Sequence, residues 1–291
     1  MSAPATPPAT FGQRLASAMA EVGPLCLGID PHPGLLQSWG LDDTAAGLEV
    51  FSLTVVEAAT AGQHPLAAAL KPQVALYERH GSAGLAALER TLGAAREAGM
   101  LTIADAKRGD IGSTMAGYAA AWLDDASPLA ADAVTLSPYL GYESLRPALD
   151  AARATGRGVF VLALTSNPEG ASVQHAGTQE PGAAVAARIA VAATQDNAAA
   201  ASAGEWGSVG LVVGATVAEQ ARELGIDLAA VHGPLLAPGF GAQGATAGGM
   251  RADFGAAWPR VLASSSRAVL AQGPSVAGLR DALEATLADL R

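Results

Sequence analysis

The sequence predicts a single-domain α/β protein, a (β/α)8 TIM barrel of parallel strands. Three observations carry that prediction: eight short apolar runs divided by longer Ala- and Leu-rich stretches, a regular step between the runs, and polar residues gathered where the runs end. The runs recur at a mean of about 35 residues, the length of one strand-and-helix unit of such a barrel. Of the 291 residues, 50% are hydrophobic and 15% charged, which is ample material for one large core.

In chain order, residues 1–10 are rich in Pro, Ala and Thr and lack the basic flank and apolar run of a secretory signal, so they read as a disordered N-terminal tail. The barrel domain then occupies 11–291. Phe11–Val22 reads as an amphipathic helix before the first strand. The eight strands are expected at Leu25–Asp30, Ala67–Lys71, Leu101–Asp105, Ala133–Ser137, Gly158–Leu164, Gly210–Gly214, Pro234–Pro238 and Arg267–Leu270. Ser82–Ala98 supplies the helix between the second and third, and Val276–Leu290 the closing helix. Between the fifth and sixth strands the step widens to about 51 residues, which predicts an insertion at about 166–205 on the end of the barrel where sites are built. The competing doubly wound open sheet needs a Gly-rich dinucleotide turn after the first strand, and Gly28-Ile29-Asp30-Pro31-His32-Pro33 is not one.

Charge and cysteine usage exclude several function classes. The net charge of -10, from 17 basic and 27 acidic residues, disfavours nucleic acid and anionic membrane as partners, because neutralising phosphates takes clustered Lys and Arg. Cys26 stands alone, so no internal disulfide forms; with no targeting signal, a cytoplasmic location is expected. The most apolar helical stretch, 183–194, is interrupted by Arg188 and falls short of the roughly 20 residues a bilayer requires. His32, His64, His80, His175 and His232 each lack a second ligand at metal-binding spacing, and no metal site is expected.

Active residues of a parallel barrel sit at the C-terminal strand ends. There the sequence offers Asp30, Lys71, Asp105 with Lys107, Thr165 with Ser166, and Arg267 at the expected start of strand eight. The chain has 15 Arg but only two Lys, and both lysines fall at strand ends, where a compact ammonium can move a proton as guanidinium cannot. Strand alternation puts Asp105 and Lys107 on one face, inside the barrel, where charges are costly unless paired. A structural ion pair explains that as well as catalysis does. Pro238–Gly249 is rich in Gly; it reads as a plain flexible loop or, with Arg267, as a phosphate cradle. Ser166 and Thr165 can cap a helix or read a ligand edge, and Tyr139 and Tyr142 are expected at the barrel mouth.

Asp105-Ala106-Lys107-Arg108-Gly109-Asp110 resembles the Asp-x-Lys-x-x-Asp signature of the orotidine 5'-phosphate decarboxylase family. Lys71-Pro72-Gln73, Thr165-Ser166-Asn167-Pro168 and Ala237-Pro238-Gly239-Phe240-Gly241-Ala242-Gln243-Gly244 resemble its longer, type 2 subgroup, and the likeness runs from about Leu25 to Leu270. The resemblance implies decarboxylation of orotidine 5'-monophosphate to uridine 5'-monophosphate (UMP) and carbon dioxide in pyrimidine synthesis, without organic cofactor or metal. It implies Lys107 as the proton donor to C6, with Asp105, Lys71 and Asp110 completing a set of alternating charges. It assigns Asp110, Ile111 and Thr114 to the partner's site in a homodimer. Asp30, Thr114 and Gln73 would meet the ribose, Gly241, Gln243 and Arg267 the phosphate, and Thr165 and Ser166 the pyrimidine. Rival readings are a metal-dependent sugar-phosphate lyase, a Schiff-base enzyme using Lys71 or Lys107, and a binding protein without turnover.

Overall fold

A computed structural model describes residues 9–177, 183–241 and 244–291. Eight parallel strands close into a barrel in sequence order. They are β1 (Leu25–Ile29), β2 (Ala69–Pro72), β3 (Leu101–Arg108), β4 (Ala133–Leu136), β5 (Gly158–Leu164), β6 (Val209–Val213), β7 (Leu235–Pro238) and β8 (Val261–Ser265). The first eight residues of the expected tail lie outside the described residues.

One strand is displaced from its expected place, and β3 runs on past Asp105 to Arg108. Arg267–Leu270, read as strand eight, is a short helix, and the strand is the preceding Val261–Ser265. Two adjacent apolar runs competed for the role, and closure decided between them. Ala263, Ser264 and Ser265 pair with Leu25, Cys26 and Leu27 of β1, while Leu235 to Pro238 of β7 pair with Val261 to Ser264. Arg267 is thereby moved from the start of a strand to just beyond its C-terminal end. The widened step after β5 contains short helices at Pro168–Gly170 and Ala171–Gln174, then the longer helix Val185–Asp196 and the short Ala198–Ser202. Val185–Asp196 packs on β5 and β6, so a barrel-layer helix lies within the span read as inserted.

Strands covered on both faces must be apolar on both, which accounts for continuous runs in place of alternation. In β1, Leu25, Leu27 and Ile29 join the layer between strands and helices, whereas Cys26 faces the interior with Ile103, Ala133, Phe160, Val212, Leu236 and Leu262. The outer helix Ala45–Thr60 buries Leu48, Phe51, Val55 and Ala59, spaced by three or four residues as a single helical stripe. The Thr44 hydroxyl caps it, accepting the Gly47 amide at 3.2 Å.

The N-terminal end of the barrel is plugged by the helix Phe11–Val22. Thr10 and Gln13 form a reciprocal capping box that sets its start. Phe11 and Leu15 are fully buried, and the Phe11 ring meets Phe160 edge-to-face at 5.9 Å between centroids. Gly158 makes the fit possible, since a Cβ there would stand 2.1 Å from the Phe11 ring. Phe11→Ala is expected to lower the unfolding free energy by about 3–5 kcal/mol in urea titrations, because a large cavity opens where no water is stabilised. A change under about 1 kcal/mol would mean the plug contributes little.

Candidate active site

Interior-facing residues at the C-terminal strand ends surround a cavity of about 290 Å³. Its polar wall includes Asp30, Lys71, Gln73, Asp105, Lys107 and Ser264. Register explains the gathering. Gly28 of β1 lies beside Lys71 of β2, which brings Asp30, two residues on, to the same rim.

Asp105 is the centre of the arrangement. The carboxylate accepts from Lys107 Nζ at 2.6 Å and Thr135 Oγ1 at 2.9 Å on one oxygen, and from Lys71 Nζ at 3.1 Å and Gln73 Nε2 at 3.2 Å on the other. Lys71 and Asp105 are 5% and 8% exposed, so these are buried charges that need one another. Burial alone would push the Asp105 carboxyl up, but the Lys71 and Lys107 ammonium groups hold it well below the usual carboxylate range. Burial would likewise pull Lys71 down, and the charges of Asp105 and Asp30 reverse this and hold it above the ordinary lysine range. Deeper in the barrel, burial pushes the Cys26 thiol up to about 12, so it stays protonated beside the charged layer.

Lys107 differs from its two neighbours. Its side chain is 46% exposed, so its ammonium is held by Asp105 while the rest of the group faces open space. Simple alternation puts it on the inner face with Asp105, and the structure reaches that result by a bulge. Between the pairs Ala104↔Val134 and Arg108↔Leu136, β3 advances four residues while β4 advances two. Lys107 sits inside that bulge with φ of 48°. Past it, Gly109 passes so near the Ser137 carbonyl that a Cβ would lie 2.2 Å away.

The other expected residues divide. Thr165, Ser166 and Arg267 line the cavity, and Arg267 has no acidic partner among the described residues. The Thr165 hydroxyl donates to Asn167 Oδ1 and accepts from Gln174 Nε2, each at 2.7 Å, which fixes the start of the β5 loop. Gln73 lines the cavity and donates one amide N–H to Asp105. Asp110, Ile111 and Thr114 do not line the cavity of their own chain. Asp110 accepts the Ile111 amide at 2.8 Å, and Thr114 is exposed on the helix Gly112–Leu123. Gly241 borders an adjacent depression with Gly244 and Thr246, and Gln243 lies outside the described residues. Tyr139 and Tyr142 do not line the cavity: Tyr139 is 78% exposed, and the Tyr142 hydroxyl donates to Asp196 Oδ2 at 2.7 Å.

Sequence reasoning missed Thr135, Ser264 and Ser266. Thr135 is mid-strand and β-branched, so it reads as ordinary strand material; only its inward phase, shared with Ala133, marks it. Ser264 and Ser266 were hidden by the misplaced eighth strand. Asp30 and Ser266 line the cavity, and Ser266 Oγ and Asp30 Oδ1 are buried in its wall without a hydrogen-bond partner among the described residues.

The sequence model described as Orotidine 5'-phosphate decarboxylase / HUMPS family matches residues 23–281, nearly the whole barrel. The chain belongs to that family. Among curated relatives it is 58% identical to the orotidine 5'-phosphate decarboxylase of Salinispora arenicola over 282 residues, 97% of each chain. Its likeness to the Streptomyces coelicolor enzyme of the same name is 53% over 284 residues, again 97% of each. Among solved structures, one from Streptomyces avermitilis superposes with a TM-score of 0.90 at 51% identity, covering 100% of this chain and 98% of that one. The Leishmania donovani OMP decarboxylase superposes at 0.74 with 29% identity, covering 97% of each.

Proposed function

We propose that this chain is an orotidine 5'-phosphate decarboxylase, a carboxy-lyase that converts orotidine 5'-monophosphate to UMP and carbon dioxide in pyrimidine nucleotide synthesis. The observation that carries the reading is one buried carboxylate gripped by both lysines of the chain at the floor of an open cavity. In the reaction the bond from C6 to the carboxylate breaks, carbon dioxide leaves, and the electron pair remains on C6 with little resonance relief. The Lys107 ammonium stands where fixed positive charge stabilises that pair, and it then delivers the proton to C6. Asp105, kept anionic by its two ammonium neighbours, faces the departing carboxylate and orients Lys107.

Binding follows from the rim. Asp30, on the cavity rim beside Ser266, accepts from ribose hydroxyls. Arg267 and the loop 238–249, with Gly241 and Gln243, take the phosphate, whose binding energy assembles the closed site. Thr165 and Ser166 border the pyrimidine. No helix among the described residues is long and apolar enough to cross a membrane, and a cytoplasmic enzyme fits.

Asp110, Ile111 and Thr114 are assigned to the site of the other subunit in a homodimer. Their absence from their own cavity supports this, as does the apolar surface beside them: Ile111, Tyr139 and Leu140 are 62%, 78% and 54% exposed. The loops that bear them touch, since Ser137 N donates to Arg108 O at 2.7 Å. Mixing Lys107→Ala and Asp110→Ala chains should restore part of the turnover through hybrid dimers that carry one intact site. Subunit exchange proven without any recovery would reject the shared site.

The direct test is loss of orotidine 5'-monophosphate absorbance with chelator-treated protein. Turnover is expected without added metal. UMP binding with no turnover would leave only a binding protein, and turnover that requires metal would favour the lyase alternative.

A further inference from the structure

We propose that Thr135 is a positioning residue for decarboxylation, holding the β3 bulge in the conformation that presents the Lys107 ammonium; this rests on the decarboxylase reading above. Thr135 is 1% exposed and faces inward from the middle of β4. Its hydroxyl touches both working residues of the Asp-x-Lys motif, at the side chain of one and the backbone of the other. It donates to Asp105 Oδ1 at 2.9 Å and accepts the Lys107 amide at 2.9 Å. Those directions are forced, because an ionised carboxylate can only accept and a backbone amide can only donate.

The bulge creates the need for this hydroxyl. A residue with a side chain is strained at positive φ, and the two extra residues of β3 remove the Lys107 amide from the regular ladder. Thr135 supplies the missing acceptor, and the ladder resumes where Ser137 N donates to Arg108 O. With the backbone so turned, Lys107 Nζ reaches back to Asp105 although its side chain is half open to the cavity. Without the hydroxyl, the Lys107 amide and one Asp105 oxygen each lose a partner. The strand can then relax toward extended φ and carry the ammonium away from its place. Asp30 and Arg267, which follow β1 and β8, keep their positions, so the loss falls on kcat and not on nucleotide binding.

Thr135→Val keeps the branched shape without the hydroxyl, and Thr135→Ser keeps the hydroxyl without the methyl. For the valine chain the expected result is a kcat lower by about 30- to 100-fold, as for a reacting group displaced by about an ångström. Its KM and UMP Kd should stay within about threefold, and its crystal structure should show Lys107 at negative φ. The serine chain should keep kcat within about fivefold. A merely structural role would lower thermal stability and leave the kcat of folded protein unchanged. The proposal is overturned if the valine chain turns over within twofold of the parent, if its Lys107 keeps positive φ with Nζ on Asp105, or if serine is as slow as valine. Should the valine chain not fold, Thr135→Ala carries the same expectations. A parent chain without turnover would defeat the decarboxylase reading, while the Lys107 backbone in the variant would still decide the positioning claim.

Discussion

Lys107→Ala is expected to lower kcat for orotidine 5'-monophosphate by about 10⁴-fold or more while UMP Kd changes by less than about tenfold. Two losses combine. A positioned general acid is worth about 10²–10⁴ in rate, and a fixed charge aimed at a developing anion about 10²–10³. Nucleotide binding survives because Asp30, the β5 loop and Arg267 follow other strands, β1, β5 and β8. The fold survives as well, since the side chain is 46% exposed and removing it leaves Asp105 still paired with Lys71. Turnover assays and calorimetry on the same preparation separate these effects. Activity within tenfold of the parent would remove Lys107 from the proton transfer.

Asp105→Asn is expected to cost both activity and stability, because it strands a buried ammonium. Breaking a buried ion pair by deleting one partner typically costs about 3–5 kcal/mol, and Lys71 is only 5% exposed. The pH dependence has a definite sign. In the parent, the depressed Asp105 carboxyl contributes stability that is present above about pH 4 and lost as pH falls through its folded value. The raised Lys71 contributes stability that is complete below about pH 10 and lost only as pH climbs through its own folded value. In the variant, burial acts on Lys71 with Asp30 as the one remaining carboxylate beside it, so its folded pKa drops below the unfolded one and stability rises with pH. The gap between the two proteins in guanidinium unfolding should therefore be widest near neutrality and narrow toward about pH 9.5. A gap that widens there would mean that Lys71 keeps its proton by other means.

How far the site could be read in advance depended on the kind of constraint at each residue. Lys71 and Asp105 were legible because each lies in the C-terminal half of a strand, and a parallel barrel points those ends at one place. Lys107 was placed on the correct face by the two-residue period, although the backbone gets there through a bulge at positive φ that no pleat pattern announces. Thr135 was invisible, since its value lies in a hydroxyl between two residues of the neighbouring strand. Gln73 was assigned to ligand, and the pattern gave no sign that the bridge between it and Asp105 also brings its amide to the carboxylate. Arg267 was named on chemistry with its structural setting wrong, because apolar pattern alone does not distinguish a strand from a turn of helix over four residues.

From the linear chain alone came the number of units, their step of about 35 residues, the helix before the first strand and the identity of the charged residues. These are properties of local periodicity and of residue chemistry, which survive without knowledge of what lies alongside. Only the folded barrel decided which of two apolar runs became β8 and what each oxygen of Asp105 holds. Those outcomes depend on interstrand register and ring closure, where residues more than thirty positions apart come within hydrogen-bonding distance. Neither constraint acts on a segment considered by itself.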